Sequence, residues 1–321
     1  MNDPVPPCSS KSPEEHPESL PSPVVPSPKT WPERILAPHA ARLARLLLYL
    51  SAGAAVWYLG QLFETLFFPN EIYGTTALWQ QVCEEIIRLL AATLPAFLMA
   101  RMEERSIDDY GLPLRLAFGK LFWLGGFWGL GAISLLLLAM RGAHVFYFGH
   151  LALHGTRILR FAAFWGVFFL VVALFEEFLM RGYMLFTLAQ STGFWPAAAL
   201  FSCAFGAIHL LNPGESWPGI LGAAAIGFFF CLTLRRTGSL WFAVGFHAAW
   251  DWGETFVWGV PDSGTTAPGH LFGPSLVDRP AWLTGGSVGP EGSVLCLVLL
   301  AVVWLVFDRA YPQAQHRVLA S

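Results

Sequence analysis

Residues 162–185 read AAFWGVFFLVVALFEEFLMRGYML. The first fourteen positions carry no charge, and Glu176, Glu177 and Arg181 then follow within six residues. With its flanks, a run this apolar is long enough to cross the ~30 Å hydrocarbon core of a bilayer as a helix. Ionisable side chains inside such a run are expensive in lipid. They face a protein interior or a water-filled cavity, and they usually mark function. The stretch predicts a transmembrane helix and a polar site within the membrane.

The rest of the chain supports that reading. Hydrophobic residues make up 55% of the 321, charged residues only 13%, and the mean hydropathy is +0.52. A soluble domain usually carries about twice that charged fraction. The 14 Trp and 27 Phe suit lipid-facing surfaces and interfacial belts. A net charge of −3 with no basic run gives no sign of nucleic-acid binding. Cys8, Cys83, Cys203, Cys231 and Cys296 are scattered, with no CxxC spacing, and read as small apolar packing residues.

The apolar runs predict eight candidate helices, near 41–67, 82–100, 118–140, 158–186, 195–211, 217–234, 239–258 and 292–308. The expected architecture is an all-α polytopic bundle of about eight spans. Residues 1–40, rich in Pro, Ser and Glu, form an expected disordered tail with no apolar h-region of a secretory signal. Residues 41–310 form the membrane domain and 311–321 a short tail. Arg34, Arg42, Arg45, Arg101, Arg105, Arg115, Lys120, Arg235, Arg236, Arg309 and Arg317 fall on one side. Arg141, Arg157, Arg160 and Arg279 fall on the other. The bias expects both termini in the cytoplasm.

Three groups of polar residues interrupt the apolar runs. Glu176, Glu177 and Arg181 lie on the fourth helix, His209 on the fifth, and His247 and Asp251 on the seventh. Glu177 and Arg181 are four apart and share a face, which predicts an ion pair. Glu176 is rotated by roughly 100° from its neighbour and so must point at something else. At about 1.5 Å per residue, Glu176 lies roughly 15 Å from the inner helix end, His209 roughly 20 Å and His247 roughly 12 Å. Side chains on three helices thus share a layer.

One carboxylate and two imidazoles in such a layer allow two kinds of chemistry. Glu176, His209, His247 and Asp251 could ligate one divalent metal, zinc by preference, and acidify its bound water. Alternatively Glu176 serves as a general base on water, with a histidine stabilising the oxyanion. Both routes lead to hydrolysis of an amide bond. Phe205, one turn before His209, reads as packing that fixes the histidine rotamer. A rival group, His144, His150 and His154, lacks a carboxylate in the HExxH manner and reads as an interfacial loop.

These residues resemble a known family. EEFLMRG (176–182) matches an EExxxR motif, FGAIH (205–209) an FxxxH motif and HAAWD (247–251) an HxxxN/D motif of the CPBP intramembrane proteases. That family includes type II CAAX prenyl endopeptidases and bacterial Abi-type proteins. The resemblance covers roughly residues 80 to 260. It implies an eight-helix bundle whose site opens to the cytoplasm, in a bacterial inner membrane. In that scheme Glu176 activates water assisted by His209, His247 and Asp251 stabilise the oxyanion or hold a metal, and Glu177 and Arg181 shape the site. The eukaryotic endopeptidases have Asn where this chain has Asp251. An ionised aspartate cannot donate to an oxyanion, so Asp251 is protonated, orients His247 or ligates a metal.

The expected activity is an intramembrane endopeptidase acting on a membrane-associated protein or peptide. The alternative is a non-proteolytic membrane protein of immunity or scaffold type that uses the same cluster for a ligand or partner. Neither the substrate nor a role for the Gly-rich 285–293 loop is legible.

Overall fold

A computed structural model describes residues 31–67, 78–212, 215–277 and 279–313. Most of the expected N-terminal tail and residues 314–321 of the C-terminal tail lie outside the described residues. By contacts the chain divides into Met1–Pro38 and His39–Ser321, and the second unit holds the body of the protein.

The architecture is a helical bundle. Its elements are α1 (Trp31–Phe67), α2 (Leu78–Met102), α3 (Lys120–Gly142), β1 (Phe146–Leu151), α4 (Thr156–Arg181), α5 (Tyr183–Thr192) and α6 (Phe194–Ile208). They continue with α7 (Trp217–Thr237), α8 (Trp241–Trp252), β2 (Phe272–Leu276), α9 (Ala281–Thr284) and α10 (Val294–Ala310). Local sequence sets several boundaries. Pro218 sits in the first turn of α7, and Gly238 ends that helix with φ 71°, a left-handed conformation that suits glycine. The Ser293 hydroxyl caps α10 by accepting from Leu295 N–H at 3.2 Å.

Helices stand at all eight expected places, and the expected polytopic helical bundle is present, though not specifically with eight spans. Among the described residues, five segments are long and apolar enough to cross a bilayer: His39–Phe67, Lys120–Gly142, Thr156–Thr192, Phe194–Leu211 and Trp217–Thr237. The others fall short for separate reasons. α2 carries Glu84, Glu85 and Arg88 in its first half. α8 has 12 residues and rises only about 18 Å. α10 has 17 residues, or about 26 Å. Five such segments make this an integral membrane protein.

Two further expectations change. The single helix expected over 158–186 breaks at Gly182, so Arg181 is the last residue of α4 and α5 starts at Tyr183. The segment around His150 is a strand, not a loop. β1 pairs antiparallel with β2, with Phe146 opposite Leu276 and Leu151 opposite Phe272.

The short α8 carries the third polar group and is gripped mainly by α3 and α4. At Gly125 a side chain would strike the carbonyl of Phe242, and at Gly129 that of Phe246. At Gly245, on the facing helix, it would strike the carbonyl of Phe122. Small residues spaced four apart let two membrane helices approach backbone to backbone, where dispersion replaces the missing hydrophobic drive. This crossing fixes the position of His247.

Overpacking a tight contact costs about 1–3 kcal/mol. Gly129→Leu is therefore expected to lower the melting temperature of the purified protein by several degrees. Gly131→Leu, whose side chain would meet nothing within 4 Å, should leave it unchanged. Equal effects from both would remove the crossing as the positioning device.

Candidate functional site

The last turn of α4 brings the first polar group to the centre of the bundle. Glu177 and Arg181 are both fully buried, and Arg181 Nη1 donates to Glu177 Oε1 at 3.0 Å. The pair expected from their spacing is present. The guanidinium also lies over the ring of Phe205, 4.6 Å from its centroid, and 5.8 Å from that of Phe230. Aromatic faces supply part of the stabilisation that water would give an exposed cation. Gly227 on α7 makes room: a side chain there would run into Arg181 Nη2.

Glu177 does more than pair with Arg181. The same Oε1 accepts from His247 Nδ1 at 3.0 Å, so one carboxylate oxygen ties α4 to α8. His247 is thereby oriented with Nε2 facing away from the ion pair. Asp251 Oδ2 stands 3.4 Å from that nitrogen and Glu176 Oε2 stands 3.7 Å from it. The side chain that Glu176 was expected to find on another helix is thus His247. Asp251 Oδ2 is in range to orient His247, one of the three readings open for it.

His209 sits where α6 gives way to a short 3₁₀ turn, His209–Leu211. Its Nδ1 donates to the carbonyl of Phe205, one turn back, at 2.8 Å. In the neutral ring this leaves Nε2 as the acceptor. The Phe205 ring packs edge-on to His209 with centroids 4.8 Å apart, in the packing role read from the sequence. The same ring stands edge-on to His247 at 6.5 Å.

Glu176, His209, His247 and Asp251 all line one cavity of about 580 Å³. Glu177 and Arg181 lie behind its wall. Trp165, Phe168, Phe169 and Val172 of α4 give it an apolar side. His144, His150 and His154 are absent from its lining.

Four acidic residues of this region were not singled out in the sequence. Glu85 of α2 lines the cavity and pairs with Arg88 at 2.5 Å. Glu254, Asp262 and Glu291 surround Asp251 at the other end. One oxygen from each of Asp251, Glu254 and Asp262 lies within 4.8 Å of the others, a cluster able to hold a divalent cation. Asp251 is the member of the expected metal-ligand set that belongs to this cluster. Among the described residues this all-carboxylate trio is the group gathered at ligating range, whereas Glu176, His209 and His247 are not so gathered. Glu254 had a legible signal, three residues beyond Asp251 and seven beyond His247 on one helical face. Asp262 and Glu291 had none, because loops bring them in.

Residues 158–253 match the family model described as Type II CAAX prenyl endopeptidase Rce1-like. The match bears out the family resemblance over a narrower range than the 80 to 260 expected. It contains all seven defining residues of the three motifs and stops one residue before Glu254. No curated protein matches the chain.

Removing one partner of a buried ion pair strands the other charge, at a cost of about 3–5 kcal/mol. Arg181→Met should lower the melting temperature sharply. Glu177→Leu combined with Arg181→Met should recover most of that loss, as measured by thermal unfolding in detergent. A double variant no more stable than Arg181→Met would show that the pair is not the source.

Proposed function

We propose that this protein is an intramembrane endopeptidase hydrolysing a peptide bond of a membrane-associated protein or peptide. Its termini would lie on the cytoplasmic side of a bacterial inner membrane. One observation carries the reading. Glu176 keeps 29% of its side chain exposed, on a cavity it shares with two histidines and Asp251, while its neighbour Glu177 is fully buried and holds Arg181 and His247 through one oxygen. Of the doublet, Glu176 is the one open to water, which supports its role as the base. The Rce1-like match over the same residues supports the same class of chemistry.

In this mechanism Glu176 takes a proton from a cavity water as the oxygen attacks the scissile carbonyl carbon. The carbonyl π electrons move to oxygen, and a histidine in its imidazolium form, whose Nε2 then carries a proton, stabilises the resulting oxyanion. Collapse of the tetrahedral intermediate breaks the C–N bond, and the proton held by Glu176 passes to the leaving amine. His247 is held for this work from both ends. Glu177 fixes Nδ1, and Asp251 approaches Nε2 without closing a short hydrogen bond. His209 is aimed by the Phe205 carbonyl. The apolar wall of α4 suits the hydrophobic residues that flank a membrane-associated cleavage site.

Zinc held by the histidines fits this arrangement poorly. The histidines contribute to no group of three ligating atoms among the described residues. No step is therefore routed through a metal.

A general base typically contributes about 10²–10⁴ in rate. Glu176→Ala is expected to abolish cleavage while the protein still inserts and purifies as a monodisperse species. Comparing membrane proteomes of cells carrying wild type and this variant should reveal accumulated precursors. Those precursors then serve as substrates for the purified protein. Wild-type turnover by Glu176→Ala on a substrate so identified would end this mechanism.

A further inference from the structure

The end of the cavity away from Glu176 has its own chemistry. Glu254 is fully buried, and neither of its carboxylate oxygens has a hydrogen-bond partner. One of those oxygens is among the three from Asp251, Glu254 and Asp262 that lie within 4.8 Å of one another. Glu291 adds a fourth carboxylate nearby and, like Asp251 and Asp262, lines the cavity. Between Arg236 and Arg279 the sequence holds no lysine or arginine. Among the described residues, none of these carboxylates forms a salt bridge to either residue type. Among the described residues the basic side chains lining the cavity are Arg88, His209 and His247, against Glu85, Glu176, Glu215, Asp251, Asp262 and Glu291. Carboxylates withdrawn from water are unfavourable as anions, and the His247 imidazole beside Asp251 leaves Glu254 and Asp262 without a cationic partner among the described residues, a charge that a bound cation would offset.

The scaffold holding the cluster is built in advance. Beyond α8 the chain passes into a π-helical turn, Gly253–Trp258, closed by Val260 N–H onto the Glu254 carbonyl at 3.0 Å. Asp262 and Thr265 exchange two backbone hydrogen bonds at 2.9 and 2.8 Å. The Thr255 hydroxyl donates to Asp262 Oδ2 at 3.3 Å. Glu291 Oε2 accepts from both the N–H and the hydroxyl of Ser263, at 3.2 and 2.9 Å, and Oε1 accepts from Trp250 Nε1 at 3.2 Å. Three separate segments are thus pinned around Glu254, whose oxygens remain unsatisfied.

From this geometry we infer that Asp251, Glu254 and Asp262 form a binding site for a hard, oxygen-seeking divalent cation, separate from the histidines. The donor set decides the class. Carboxylate oxygens without nitrogen or sulfur suit calcium, magnesium or manganese better than zinc. Calcium, with Ca–O distances of about 2.3–2.6 Å, can be spanned by oxygens as far apart as these. The cavity offers the entry path. The ion would neutralise Asp251 from the side opposite His247 and lock the π-turn to the 259–265 loop, which makes it a positioning ion for the histidine rather than the activator of water. Nothing in this assignment depends on proteolysis, so either can fail alone.

The test uses the full-length protein in detergent, stripped with a chelator and titrated with manganese, the free ion being read by its electron paramagnetic resonance signal. One manganese per chain should bind, calcium or magnesium should displace it, and both should raise the melting temperature. Glu254→Gln and Asp262→Asn, which keep shape and remove charge, should each weaken binding about tenfold or more. His209→Ala should leave it unaltered. Each variant is first shown to be monodisperse and to melt as the stripped wild type does; if one misfolds, the other carries the result. Absence of saturable manganese binding would overturn the site. So would retention of binding in both carboxamide variants, or a preference for zinc that His209→Ala abolishes.

Discussion

A single buried carboxylate oxygen organises this protein. Glu177 Oε1 accepts from Arg181 on its own helix and from His247 on α8. Taking a guanidinium and a carboxylate out of water costs several kcal/mol per ion, recovered only with good geometry and additional partners. The additional contacts are visible: aromatic faces beneath Arg181, a glycine on α7 that admits it, and a histidine that gives Glu177 Oε1 a second donor. The ion pair therefore acts as more than an internal brace. It converts the buried charge of α4 into the orientation of a ring on another helix, so α4, α7 and α8 must pack as they do for the pair to be tolerable.

Around that point the cavity divides by chemistry. Near α4 lie Glu176 and the apolar wall, with His247 and His209 across from them. Beyond His247 the lining becomes acidic, through Asp251 to Asp262 and Glu291. Asp251 belongs to both halves, 3.4 Å from His247 Nε2 on one side and within ligating range of Glu254 and Asp262 on the other. An asparagine in its place could still meet a histidine, but it would bring no charge to the acidic end. The aspartate is the residue by which this chain departs from the eukaryotic endopeptidase pattern, and the acidic end gives that departure a structural context.

Much of the candidate site was legible because helices convert sequence spacing into direction. Glu177 and Arg181 at four residues had to share a face, Glu176 could not, and matched depth put His209 and His247 in one layer with it. The limits of that reasoning are equally physical. Spacing on one helix cannot show that Glu177 serves two partners, since the second lies 70 residues away. Hydropathy suggested eight spans, yet by length and composition five segments stand out among the described residues, and α8 is a 12-residue helix packed mainly on α3 and α4. Loops carry no periodicity, so Asp262 and Glu291 gave no sign of where they would stand.

By itself the sequence determined an integral membrane protein of helical class, the pairing of Glu177 with Arg181, and the separate fate of Glu176. Those come from hydrophobicity and from the 3.6-residue turn, both local properties. Tertiary structure decided what local properties cannot encode. It made His247 the partner of both glutamates, broke the fourth helix at Gly182, and folded a π-turn and a loop so that three carboxylates meet. Each of these depends on the distance between segments far apart in the chain, set by which helices can approach closely enough to pack.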